Sequence, residues 1–563
     1  MATASLPYHE PGIVTILTHT SFLLLLNIGN FVLDHTLYCG LLGQIFLGIA
    51  WGTPGAKWLT IEAEEVIVQL GYLGLLLIVY EGGLSTSFKA VRENLLLSTC
   101  VAVTGIALPI GLSFALLRLC GATPLQSFAA GAALCSTSLG TTFTVLGSTG
   151  LIQARLGVVL TSAAMMDDVV GLVMVQVISN LGSSGESVSA VTIVRPLLVS
   201  MAFAVCAPVV CVFVVKPVTL WLNETRTKRP RGLLNRLFAD DKIAWIIHTL
   251  ILLGCIAGST YAGTSNLFAA YIAGAGISWW DLEVPHPKID AVSTATSTAI
   301  QDQDQAIRSS TGSGTETPEH RNLSPEGSDT TGLHTFEKYY SQPLHRILRP
   351  FFFASIGFSI PITEMFGSAI VWKGLVYTAL MIVGKMTCGA WLLRISFTPA
   401  MATKFTNTLK LLKPRIAHLW SRVYEKSTSS HNTNTTHRVQ PSTSSSQQAR
   451  NSRATNRASD PASIKPRSIY PASIIGCAMT ARGEIGFLIS SVAESNKIFS
   501  TAQTNADKNS EIFLIVTWAI MLCTILGPLA VGLVVRRVEQ LQRGVQRQGR
   551  VIRGDVLGVW GIS

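Results

Sequence analysis

The sequence predicts an all-α polytopic membrane protein of about 13 transmembrane helices, and three observations predict it. Of 563 residues, 48% are hydrophobic and 13% charged, whereas a water-soluble chain carries about a quarter charged residues. Apolar runs of about 20 residues recur along the chain, each long enough to cross a roughly 30 Å hydrocarbon core as a helix. The basic residues collect in alternate loops, as a polytopic topology requires.

The runs lie, in order, at 13–33, 38–53, 65–84, 95–118, 125–149, 155–181, 192–215, 243–261, 265–280, 346–361, 369–395, 470–493 and 511–535. The first has no Lys or Arg before it, so it lacks the basic region of a signal peptide and reads as a span. The fifth is interrupted by Ser136-Thr137-Ser138-Leu139-Gly140-Thr141-Thr142 between apolar flanks, and the twelfth by Thr480-Ala481-Arg482-Gly483-Glu484. Unwound backbone at mid-membrane is tolerated only where it is buried or lines a watery cavity, and half-helix ends then offer dipoles and carbonyls to ions. Breaks at spans five and twelve fit two inverted six-helix repeats joined by span seven, with the two discontinuous helices crossing at mid-membrane.

The basic excess of +11 reports topology rather than nucleic acid. With residues 536–563 placed in the cytosol, the loops on that side hold about 35 of the 43 Lys and Arg, and the opposite side holds about six. The N-terminus is then outside or luminal. The remaining two, Lys385 and Arg482, lie inside spans. The membrane domain is thus 1–280, 345–398 and 470–535. It is interrupted by polar stretches at 281–344 and 399–469, whose Ser/Thr-rich composition predicts disordered cytosolic loops. Within the second, Leu409–Tyr424 reads either as a basic amphipathic helix on the anionic leaflet or as a solvated linker. Acceptor sequences at Asn223, Asn322 and Asn434 fall in cytosolic loops, so glycans there would invert the topology. The ten cysteines form no CxxC pair and read as small buried hydrophobes; no disulfide, resident metal or cofactor is expected.

A charge near the bilayer centre costs several kcal/mol, at least about 2.5, so it needs a partner or a function. Asp167 and Asp168 occupy the middle of the sixth span. Adjacent helical residues point about 100° apart, so one carboxylate can face an ion path and the other a neighbouring helix. Plain interhelical glue needs only one acid, and the second adds desolvation cost. An aspartyl protease needs carboxylates on two facing helices, which consecutive positions do not provide. Lys385, near the centre of the eleventh span, is kept charged most economically by pairing with Asp167; snorkelling to an interface is the alternative. For Arg482 and Glu484 a local salt bridge is the simpler reading.

At these residues the sequence resembles the monovalent cation:proton antiporters, specifically the second superfamily with its two-aspartate sodium/proton antiporters. The matching pieces are Gly43-Gln44-Ile45-Phe46-Leu47-Gly48, Tyr80-Glu81-Gly82-Gly83-Leu84, Cys135-Ser136-Thr137-Ser138 and Met166-Asp167-Asp168. They continue with Ala269-Ala270-Tyr271-Ile272-Ala273-Gly274, Pro350-Phe351-Phe352-Phe353-Ala354-Ser355-Ile356-Gly357, Gly384-Lys385 and Ala481-Arg482-Gly483-Glu484-Ile485-Gly486. The resemblance implies a core of spans four to six and eleven to thirteen that moves against spans one to three and eight to ten, in a homodimer. It implies that Asp168 carries either a proton or the transported cation, that Asp167 pairs with Lys385, and that exchange is electrogenic. Thr137 and Ser138 would complete an oxygen shell, with Ser136, Arg482, Glu484 and Glu81 in support.

The expected function is therefore exchange of Na+, with K+ or Li+ as alternative substrates, for H+ by alternating access, in the plasma membrane or an endomembrane. Enzyme activity is not expected. The alternatives are a gated potassium efflux channel, a K+/H+ antiporter and a non-transporting membrane sensor. Channel-like relatives often carry a nucleotide-binding domain after the membrane part, and no GxGxxG follows the last span here.

Overall fold

A computed structural model describes residues 10–37, 39–86, 88–138, 154–183, 190–228, 241–284, 331–397, 469–500 and 510–547, with Leu557 and Trp560. The described residues are helical, with no strand among them. The helices are α1 (Ile13–Leu37), α2 (Gly40–Trp51), α3 (Ile61–Leu84), α4 (Phe88–Ser113), α5 (Pro124–Ala133), α6 (Arg155–Ser183), α7 (Ala190–Val210), α8 (Lys216–Lys228) and α9 (Asp241–Ala262). They continue with α10 (Asn266–Glu283), α11 (Gly332–Tyr339), α12 (Arg349–Phe358), α13 (Ser368–Met386), α14 (Ala390–Phe397), α15 (Tyr470–Thr480), α16 (Glu484–Ser495) and α17 (Glu511–Arg547).

Nine described stretches are long and apolar enough to cross a membrane, and the chain is a multi-pass integral membrane protein. The runs expected at 38–53, 265–280 and 346–361 are the shorter helices α2, α10 and α12. The run at 125–149 is described only as far as Ser138, so Leu139-Gly140-Thr141-Thr142 lie outside the described residues. Three expectations need adjustment. Segment 281–344 does not stay irregular to its end: Thr331 caps α11 by accepting from His334 N, and Phe336, 1% exposed, anchors that helix against Tyr80 and Tyr340. The last helix runs on to Arg547, past the expected 535, because good helix formers such as Gln, Arg and Leu continue its pattern in water. Cys206 is exposed on α7, whereas the other cysteines are buried or half-buried, and all ten are free. Leu409–Tyr424 lies outside the described residues.

Helix ends follow from local chemistry. Thr123 caps α5 with Pro124 at the first helical position and Gln126 reaching back to the Thr123 amide, a reciprocal box that satisfies two end donors. Thr60 and Ser265 cap α3 and α10 more simply, accepting from Ala63 N and Phe268 N.

Packing divides the molecule into two groups. α1, α2, α3, α9, α10 and α12 form a scaffold in which α3 lies along α10 and α12, and α2 lies between α1 and α12. Glycines bring these backbones together: a Cβ on Gly83 would sit 2.9 Å from Ala275 N, and one on Gly71 2.8 Å from the Phe352 Cα. The second group, the core, packs α4 on α6 and α13 on α17, with α5, α15 and α16 threaded between them. The pairings are symmetric: α4 on α6 mirrors α13 on α17, α1 on α2 mirrors α9 on α10, and α3 on α10 mirrors α12 on α2. That is the pattern two inverted repeats produce. Contact between the groups is sparse, chiefly α6 on α10 and α12 on α16. Helix α7 shows an apolar face at Val194, Leu198, Met201 and Val205, which suits a lipid environment rather than water.

Candidate functional site

The site forms where two helices stop short inside the core. α5 ends at Ala133 and α15 at Thr480, and the two breaks meet back to back, Ser138 N donating to Ala481 O at 3.0 Å. Ala481 and Gly483 are extended in backbone conformation, and the chain re-enters helix at Glu484. Each break leaves end carbonyls without helical partners, and these carry the negative end of the helix dipole. Two buried cations take up those of the first break. Lys385 Nζ donates to Cys135 O at 2.6 Å, and Arg482 Nη1 donates to Ser136 O at 2.6 Å and to Cys135 O at 3.4 Å.

Lys385 is fully buried and spends its three donors: the other two go to Thr137 Oγ1 at 2.8 Å and Asp167 Oδ2 at 2.8 Å. Thr137 Oγ1 in turn donates to Asp167 Oδ2 at 2.9 Å. The pair expected from the sequence is therefore formed, with Asp167 and Lys385 both 0% exposed. Breaking such a pair by removing one partner typically costs about 3–5 kcal/mol, because it strands the other charge. Lys385 stands in the last turn of α13, just before a 3-10 turn at Thr387–Gly389, rather than mid-helix. A lysine there also faces the negative dipole end of its own helix.

Asp168 points elsewhere, as the 100° step of a helix dictates. It is half-buried, and its Oδ1 accepts from Ser136 Oγ at 2.9 Å. Its surroundings include Glu484 at the start of α16 and, from the scaffold, Tyr271 of α10, whose hydroxyl shares a hydrogen bond with Thr86 Oγ1 at 3.1 Å. So one carboxylate is locked to an ammonium inside the core, and its neighbour sits at the seam between core and scaffold with one ordered hydroxyl. Asp167 Oδ1 is buried without a partner among the described residues. On the Asp168 side the groups named are oxygens, the Asp168 carboxylate, Ser136 Oγ and the Glu484 carboxylate, a donor type that suits a hard cation.

The structure thus gathers Asp167, Asp168, Ser136, Thr137, Lys385, Arg482 and Glu484 around the two breaks. Ser138 joins them through its backbone in the crossing itself. Arg482 is 0% exposed and makes no ion pair with Glu484; the local salt bridge does not form, because the guanidinium points back to the carbonyls of the other broken helix. Glu81 is not brought to the cluster: its carboxylate lies 3.7 Å from His345 Nε2 on the scaffold.

Several contributors carry no sequence signal. The carbonyls of Cys135, Ser136 and Met479 are backbone atoms. Thr524 Oγ1 on α17 holds Arg482 O at 3.0 Å, yet it reads in the sequence as an ordinary small polar residue of a span. Gly105 on α4 matters through what it lacks: a Cβ there would stand 3.2 Å from Lys385 Nζ and 3.3 Å from Asp167 Oδ2.

Parts of the chain match known proteins. A 30% identity over 145 residues, 25% of this chain and 32% of the relative, links it to the high-affinity Na+/H+ antiporter NhaS3 of Synechocystis sp.. A 26% identity over 260 residues, 45% of this chain and 63% of the relative, links it to the probable Na+/H+ antiporter GerT of Bacillus cereus. The chain spans about a third to just under two thirds of the length of these curated relatives. Among solved structures it aligns with the sodium proton antiporter MjNhaP1 of Methanocaldococcus jannaschii at 12% identity and a TM-score of 0.48, covering 93% of this chain and 98% of that one. Residues 22–297, which include both aspartates and the first helix break, match the family described as sodium/hydrogen exchanger, transmembrane.

Proposed function

We propose that the protein exchanges Na+ for H+ across its membrane, with Asp168 as the shared binding group. The observation that carries this reading is the division of labour between two adjacent carboxylates: Asp167 sealed against Lys385, and Asp168 half-buried at the seam with Ser136 as its hydrogen-bond donor. A proton and a cation cannot occupy the same carboxylate oxygens together, so release of one is the condition for binding the other. Exchange is then obligatory rather than incidental. K+ and Li+ are the alternative substrates, since an oxygen shell discriminates among monovalent ions by size and ligand number rather than by charge.

The sparse seam between core and scaffold supports alternating access, in which the core carries Asp168 from one side to the other past α10 and α12. Asp167 and Lys385 serve as the charge pair beside it. When a cation enters and draws on Asp167, Lys385 loses its counter-ion and gives up a second proton, which makes the cycle electrogenic. A homodimer with residues 536–563 in the cytosol completes the reading.

Purified protein in vesicles with an internal pH dye tests it. Na+ addition is expected to dissipate an imposed pH gradient in the wild type and to fail in Asp168→Asn. Undiminished exchange in that variant removes Asp168 as the carrier, and absence of cation-driven proton flux in the wild type removes the antiport reading.

A further inference from the structure

A second contact reaches α6 far from the ion cluster. Beyond α17, Trp560 N donates to Leu557 O at 3.3 Å. Leu557 is 1% exposed and Trp560 7%. Both belong to an apolar cluster built by α4, α6, α14, α15 and α17, with Leu97, Leu156 and Val535 among its members. Among the described residues no scaffold side chain belongs to that cluster. The guanidinium of Arg155, the first residue of α6, lies over the Trp560 indole, 5.1 Å from the ring centroid.

We infer that Trp560 is a positioning residue for α6. Leu557 and Trp560 clamp the first turn of α6 to the rest of the core, so that the helix bearing both aspartates moves with α15 and α17 as one body. The first turn of a helix has unpaired amides and is where opening costs least. Here that turn is the end of the lever that carries Asp167, twelve residues or about 18 Å further along the same helix. A tail that docks gives up conformational freedom, and the return is the burial of a large aromatic and a leucine together with a cation–π contact. Among the described residues every member of this cluster lies outside the scaffold, so the clamp travels with the moving group and does not bridge it to the scaffold. It stiffens the helix that bears both aspartates.

The experiment compares wild type, Trp560→Ala, Trp560→Phe and a chain ending at Arg547, each in lipid nanodiscs for hydrogen exchange and in vesicles for transport. Trp560→Ala is expected to raise amide exchange selectively at 155–164 and 97–102 while α3 and α10 stay protected. It should slow Na+/H+ exchange by roughly threefold at unchanged half-saturating Na+. Trp560→Phe should retain most of both. A synthetic peptide of residues 548–563 added to the shortened chain should restore protection and rate together. Unchanged exchange at 155–164, a uniform rise over scaffold and core alike, faster transport, or restored protection without restored rate would each overturn the assignment. The transport arm rests on the antiport reading and the protection arm does not, so a chain that clamps but fails to exchange ions separates the two.

Discussion

At the scale of single residues, the buried pair and its half-buried neighbour make different predictions. Removing either member of the Asp167–Lys385 pair strands the other charge in a site that is 0% exposed, whereas removing both leaves two neutral groups of similar volume. Asp167→Asn and Lys385→Gln are each expected to lower thermal stability in detergent strongly, by about 3–5 kcal/mol, and the double variant by much less than the sum. Simple additivity would mean that the two side chains are not coupled. Lys385→Gln should also reduce the charge moved per transport cycle on a supported membrane, and an unchanged current per turnover would remove the second proton from the scheme. Gly105 sits against both partners, so Gly105→Ala should cost about 1 kcal/mol and Gly105→Val clearly more, read from the same melting curves. Much of this scale was legible: Asp167, Asp168 and Lys385 stand out in the sequence because a charge in an apolar run demands an explanation. Gly105 was not, because a lone glycine in a span looks the same whether or not an ammonium lies beside it.

At the scale of elements, the crossing of the two breaks decides where the cluster forms. The polar interruptions at Ser136-Thr137-Ser138 and Thr480-Ala481-Arg482-Gly483-Glu484 announced that two helices would stop. They did not announce which end of one would meet which cation of the other. Arg482 illustrates why. In sequence its nearest acid is Glu484, two residues away, but an extended backbone at Ala481 and Gly483 turns the guanidinium toward Ser136 O instead. Glu81 illustrates the converse: proximity to a Gly-Gly-Leu motif marked it for the site, yet α3 belongs to the scaffold and carries it to His345. The crossing is tight at Gly483, where a Cβ would stand 2.7 Å from Ser138 Cβ and Oγ. Gly483→Ala should therefore push the breaks apart, costing about 1–3 kcal/mol and slowing exchange. Adding Ser138→Gly should recover part of both; no recovery would show that the contact between breaks is not what the alanine disturbs.

At the scale of the molecule, the two groups make a further claim, that their relative motion is the transport step. The span positions were legible from hydropathy, and the inverted arrangement followed from two breaks seven spans apart. The sorting of helices into core and scaffold followed from the family resemblance rather than from composition, since both groups are equally apolar and only packing separates them. One described contact crosses the seam by side chains at an exposed point: Ser359 Oγ and Ser491 Oγ lie 3.3 Å apart, one after α12 and one on α16. Cysteines at both positions are close enough to bridge. Oxidation of Ser359→Cys/Ser491→Cys should arrest exchange and reductant should restore it, while either single variant stays insensitive. Full exchange with the bridge formed would show that the two groups need not part there.

If one carboxylate holds either a proton or a cation, counting protons during cation binding reads that exchange directly. Purified protein titrated with NaCl in weak buffer near neutral pH, with choline chloride as the control for ionic strength, is expected to release protons in step with Na+ binding. The half-saturating Na+ should rise as pH falls, and the release should vanish in Asp168→Asn. Na+ binding without proton release, or release that persists in Asp168→Asn, contradicts the account.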